Sequence, residues 1–244
     1  ADLDEDEGKP GRNRQTSEEK ERARLRKQQA DLLKALERSG MLVSFSGGRY
    51  QFRHVLLASY VASLTLADVG DGVLVERAQN PVWWEAVALA ALHTPLDPVV
   101  ENFLETSTDV LHNNMLSLSQ AVAYNARVEW RSRLLKTLGN AFVTSTQYPL
   151  VRERVAAALV GTRDRNAVVI FERALRHPNA EIRRLACLGL GAMRAENAID
   201  ALASMIGDQD EDVQLAAGLA LGAIGGEYAL EVMTDVLLSG SEKL

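Results

Sequence analysis

Three segments in the second half of this chain align without a gap: VRERVAAALVGT from Val151, IRRLACLGLGAM from Ile182 and VQLAAGLALGAI from Val213. Their starting positions are evenly spaced. Leu159, Leu190 and Leu221 fall in register, as do Ala167, Ala198 and Ala229 in the stretch that follows each segment. A fixed period of this length marks repeated supersecondary units, which must stack because no single unit buries its own apolar face. In EIRRLACLGLGAM apolar residues occupy nearly every side after the first turn, which predicts a helix covered on several faces. Its partner, ENAIDALASMI, carries a narrower stripe at Ala198, Leu202, Met205 and Ile206. Asn179 and Asp210 occupy equivalent positions and are expected N-caps. Gly189, Gly191, Gly218 and Gly222 each cost roughly 1 kcal/mol against alanine inside a helix, so they predict helices in close approach.

Composition supports a helical stack. Hydrophobic residues make up 47% of the 244 residues but aromatics only 5%, so burial rests on Ala, Leu and Val. Small aliphatic side chains suit close helix–helix packing better than a β-sandwich. The formal charge of −6, from 33 acidic and 27 basic residues, argues against broad attraction to nucleic acid or anionic membrane. The single cysteine, Cys187, excludes an intrachain disulfide and fits a reducing compartment; mid-helix between Ala186 and Leu188, it is expected in the core. No apolar run approaches the ~20 residues that span a bilayer. The opening ADLDEDEGKPGRNRQ has no apolar core and is not read as a signal peptide. The expectation is a helix-rich cytoplasmic protein.

Along the chain, residues 1–17 read as a flexible linker with something larger expected before it. Residues 18–70 read as helix (Glu18 to about Arg38, with Leu32, Leu33 and Leu36 as its buried end), two short strands MLVSF and RYQF around Ser46-Gly47-Gly48, and a helix from His54 to about Leu66. Residues 71–147 read as a helical connector with degenerate repeats. Pro81 starts one helix, Thr94-Pro95 stops it, and further helices are expected over 97–105, 109–123, 127–142 and 148–160. Residues 148–244 hold the 31-residue repeats. The last helix, EYALEVMTDVLLSG, has an apolar stripe at Leu230, Met233 and Leu237, unusual for a terminal repeat. The fold class expected is mainly α: an α-solenoid with a small winged-helix (helix–β-hairpin–helix) element on its N-terminal side.

Two resemblances extend this reading. The repeats resemble short, alanine- and glycine-rich HEAT repeats of the phycobilisome-lyase type over 148–244, and in degenerate form back to about residue 80. The stretch YQFRHVLLASYVASLTL resembles the end of the winged-helix domain of NACHT-type NTPases of the STAND class, with Tyr50, Phe52, His54, Tyr60, Val61 and Ala62 in the matching positions. LLKALERSGMLVSFSGGRYQF before it and NPVWWEAVALAA after it are similar to the same family, so the resemblance covers about 28–92. Ser59 stands where that family has a glutamate. The resemblance implies that His54 contacts the phosphates of ADP or ATP held by a preceding NTPase domain, and that the solenoid is a non-catalytic sensor for a protein partner or ligand.

The chain itself has no Gly-x-x-x-x-Gly-Lys-Ser/Thr loop, so any nucleotide belongs to a domain outside it. His54, His93, His112 and His177 are scattered and no metal is expected; His93 and His177 read as helix-end residues. Trp83 and Trp84 are adjacent and face different ways, one toward the core and the other a candidate interaction anchor. The basic run Lys20, Arg22, Arg24, Arg26, Lys27 is interleaved with acids and reads as a solvated helix face. Three alternatives stand beside the NACHT-like reading: a free-standing HEAT scaffold, a phycobilin-lyase-like protein, and a DNA-binding winged helix, the last disfavoured by the acidic charge.

Overall fold

The computed structural model describes residues 12–105, 113–125, 127–144 and 148–241. Residues 1–11 and 109–112, and with them His112 and most of the expected linker, lie outside that set. The chain divides into two compact units, residues 1–58 and 59–244.

In the first unit, α1 runs from Arg12 to Arg38 and so begins ahead of the expected Glu18. It closes in a Schellman motif: Gly40 at φ +75 donates to Glu37 O and Met41 N–H reaches Leu36 O, both at 3.0 Å. β1 (Leu42–Phe45) and β2 (Arg49–Phe52) pair antiparallel with Leu42 opposite Phe52, joined through Gly47 and Gly48 at positive φ. Leu42 is the one buried side chain among the described residues of this unit. The expected buried end of α1 is not buried: Leu32 is 59% exposed, and Leu33 and Leu36 are half-buried. The order helix–hairpin–helix is completed by α2 (Val55–Thr65), across which the two units divide. A two-stranded sheet alone does not establish a winged helix.

The second unit continues with α3 (Asp71–Gln79), α4 (Trp84–Ala90), α5 (Asp97–Glu105), α6 (Asn113–Tyr124), α7 (Arg131–Val143), α8 (Pro149–Gly161), α9 (Arg165–Ala174), α10 (Ala180–Ala192), α11 (Ile199–Met205), α12 (Glu211–Ile224) and α13 (Gly226–Ser241). Helices α4, α6, α8, α10 and α12 pack in succession as one layer. The alternate helices form a second layer against them, with direct contacts between α3 and α5, α7 and α9, and α11 and α13. This is an α-solenoid. The starts of α8, α10 and α12, at Pro149, Ala180 and Glu211, keep the even spacing of the sequence repeat. The helix ends Ala90, Tyr124 and Gly161, of α4, α6 and α8, are spaced more widely than that period. The stack therefore reaches back to α4 without its sequence register.

The local chemistry repeats with the helices. Asn179 Oδ1 caps α10 through Glu181 N–H at 2.9 Å, and Asp210 Oδ1 caps α12 through Asp212 N–H at 3.1 Å. Arg163, Arg194 and Gly225, each one repeat from the next, all adopt positive φ just past α8, α10 and α12. Arg183 forks onto Asp208 at 2.8 Å through Nε and Nη2, and its Nη1 reaches His177 O at 2.9 Å. Its repeat equivalent Gln214 reaches Asp208 O at 2.7 Å. α10, with α8, α9 and α12 against it, buries seven residues including Cys187.

The glycine expectation divides. A Cβ on Gly189 would fall 2.6 Å from the Phe171 ring and one on Gly191 would fall 2.7 Å from Ala220 Cα, so both admit a neighbour. Gly218 and Gly222 meet nothing within 4 Å, because α12 is the last helix of its layer among the described residues and has a layer neighbour on one side only. Of the expected apolar stripe in α13, Leu230 is 63% exposed and Met233 is half-buried against the core with Ala229 and Val232, and the Leu237 side chain lies outside the described residues. No described helix is long and apolar enough to cross a membrane.

Candidate functional site

A depression of about 570 Å³ lies in the second layer between α7 and α9. α9 builds its far wall. Ala167, Phe171 and Ala174 point into the core, which leaves Asn166, Val169, Ile170 and Arg173 on the face toward the groove. α7 supplies Leu135, Lys136, Gly139, Asn140 and Val143. Gly139 permits the approach: a Cβ there would stand 3.2 Å from Ile170 Cδ1.

The two walls are held from below and at one end. Phe142 and Phe171 meet edge to face with centroids 5.4 Å apart, both fully buried. Asp164 caps α9 by accepting from Asn166 N–H at 2.8 Å and pairs with Arg131 Nε, at the start of α7, at 3.1 Å. The Asp164 side of this pair is largely buried, so losing the arginine would leave a carboxylate with its desolvation uncompensated.

The floor is apolar and the rim is positive. Leu135 and Ala174 are buried, Ile170 is half-buried, and Val143 and Val169 are 37% and 41% exposed. Lys136 and Arg173 stand exposed at the rim, and among the described residues neither is in an ion pair and no Asp or Glu lines the groove. His177 closes one end. Its Nδ1 accepts from Asn179 N–H at 3.1 Å, so the neutral ring carries its proton on Nε2 and is a donor there. Asp208, one repeat later, accepts the equivalent bond from Asp210 N–H at 3.0 Å. In a chain of charge −6 this is a local reversal. It can seat apolar side chains flanked by carboxylates.

Sequence-expected residues lie elsewhere. His54 is exposed at the entrance to α2, in the other unit; its carbonyl accepts from Ala58 N–H at 3.2 Å, and its ring makes no hydrogen bond or ion pair among the described residues. His93 is more than a helix end: its Nε2 lies 2.9 Å from Ser63 O. Both tryptophans are half-buried. Trp84 Nε1 donates to Ala78 O at 3.0 Å, and the Arg77 guanidinium covers the Trp83 ring at 4.7 Å. Cys187 is buried, as expected, and desolvation pushes its thiol up to about 12.

A family model of HEAT repeats matches residues 135–209 and again 168–244. Together these matches make residues 135–244 similar to HEAT repeats. The groove lies within them, whereas the NACHT-like stretch over 28–92 lies outside. Human deoxyhypusine hydroxylase, in a structure with glycerol, overlaps 74% of this chain and 72% of its own, at 18% identity and a TM-score of 0.37. Overlap at that level says nothing of chemistry here. No curated protein matches the chain significantly.

Proposed function

We propose that this chain is a non-catalytic protein-interaction scaffold whose α7/α9 groove holds a partner segment bearing apolar side chains flanked by Asp or Glu. The observation that carries this reading is the groove itself: an apolar floor, no acid in the lining, and Lys136 and Arg173 at the rim outside any ion pair among the described residues. HEAT repeats over 135–244 supply the rigid stacked surface such binding uses. A labelled amphipathic peptide of leucines flanked by glutamates tests it. Lys136→Glu/Arg173→Glu should weaken that peptide about ten-fold and flatten its salt dependence, since each exposed charge contributes about 0.5–1 kcal/mol. Equal affinity for wild type and variant refutes the groove as the site.

A second reading follows the NACHT-like resemblance, with the solenoid as a regulatory region and His54 as a contact to ADP or ATP on a preceding NTPase domain. One observation favours it. The first unit leaves Leu25, Leu32, Phe45, Val55 and Leu56 between 49% and 79% exposed, a surface suited to being covered within a larger module. In a chain that includes the upstream coding sequence, His54→Ala should speed ADP release; an unchanged off-rate refutes it.

A further inference from the structure

The outward ridge of the α8–α10–α12 layer changes character along the repeat register while the core does not. At the core, Leu159, Leu190 and Leu221 are identical. On the ridge, Glu153 and Arg184 are followed by Leu215, and Ala157 is followed by Leu188 and Leu219. The fold plainly accepts charge there: Arg184 Nη2 lies 3.3 Å from Glu153, and the same guanidinium forks onto Glu181 at 2.8 and 2.9 Å. Leu215 and Leu219 are 63% and 59% exposed, so they add little to the core that a polar side chain would forfeit. One turn apart on α12, they border a groove of about 280 Å³ shared with Leu188 of α10.

The rim of this groove is acidic. Glu181 and Asp212 line it, and Asp212 enters no ion pair among the described residues. Arg184 is the single cation in the lining, and it is already claimed by Glu153 and Glu181. The uncompensated charge is therefore negative, the reverse of the α7/α9 groove. We infer that this ridge docks a helical segment of a protein partner that presents leucine-sized side chains one turn apart, flanked by Lys or Arg. The leucines supply the apolar contact; the carboxylates select a basic partner and repel an acidic one.

The test uses the full chain and two labelled peptides of about 18 residues with one leucine face, flanked by lysines in one and by glutamates in the other. Leu215→Ser/Leu219→Ser should weaken the lysine peptide about ten-fold and leave the glutamate peptide unchanged. Lys136→Glu/Arg173→Glu should leave the lysine peptide no weaker. Both leucines are exposed, so thermal melts should match wild type. An unchanged lysine-peptide affinity in the leucine variant overturns the inference, as does an equal loss for both peptides. Self-association of the wild-type chain that the leucine variant abolishes would also overturn it, assigning the face to a second copy.

Discussion

Gly191→Ala and Gly222→Ala change the same position in successive repeats and should move stability in opposite directions. At Gly191 the new methyl would stand 2.7 Å from Ala220 Cα and 2.9 Å from its Cβ. Carbon atoms pack at about 3.5–4.0 Å, so α10 and α12 must part by about 1 Å at this crossing. A backbone atom cannot rotate away, which puts the overpacking cost near the upper end of its range, about 3 kcal/mol. Replacing a helical glycine returns about 1 kcal/mol, for a net loss of about 2 kcal/mol. At Gly222 the methyl meets nothing within 4 Å, so only the propensity gain remains, at most about 1 kcal/mol and less near a helix end. Urea denaturation followed by far-UV circular dichroism reads both, with midpoints compared at matched slopes because solenoids can unfold in parts. A Gly191→Ala variant as stable as wild type, or two variants that lose stability together, would refute the assignment of α10–α12 as a glycine-dependent contact.

Other expectations follow from the same repeat chemistry. Arg183 holds the Asp208 carboxyl below its ordinary 3.8 through hydrogen bonding, so this pair stabilises fully above the unfolded carboxylate value and less as pH falls through the lowered folded one. Asp208→Asn should cost about 1–3 kcal/mol at neutral pH and flatten the acid limb of a stability–pH curve; an unaltered limb contradicts it. Arg194→Gly relieves a left-handed residue at the position where the next repeat has Gly225, and should raise stability by about 1 kcal/mol in the same urea assay. Buried Cys187, its thiol pushed up to about 12, should resist alkylation in the native chain at mildly alkaline pH and react once urea unfolds it; rapid native labelling contradicts the burial.

The solenoid was legible where the period held. Leu159, Leu190 and Leu221 repeat because each plugs the same interhelical space, and all three are fully buried. Before α8 the spacing between helix ends widens beyond the period, so the stack continues through contacts such as those of α4 with α6 while the register is lost. Gly189 and Gly222 look alike in sequence and differ in structure, since only a neighbouring helix decides whether a missing Cβ matters. The groove was not legible. Lys136 and Arg173 belong to different helices, and nothing local pairs them. His177 read as a helix end because its role, accepting a turn N–H in place of an aspartate, is visible only against Asp208.

Hydrogen–deuterium exchange on the full chain with the glutamate-flanked peptide tests the central claim most directly, because it reports where a partner segment sits. The account predicts slowed exchange concentrated in α7 and α9, lost in Lys136→Glu/Arg173→Glu. Protection spread evenly, or confined to helices other than α7 and α9, would contradict it.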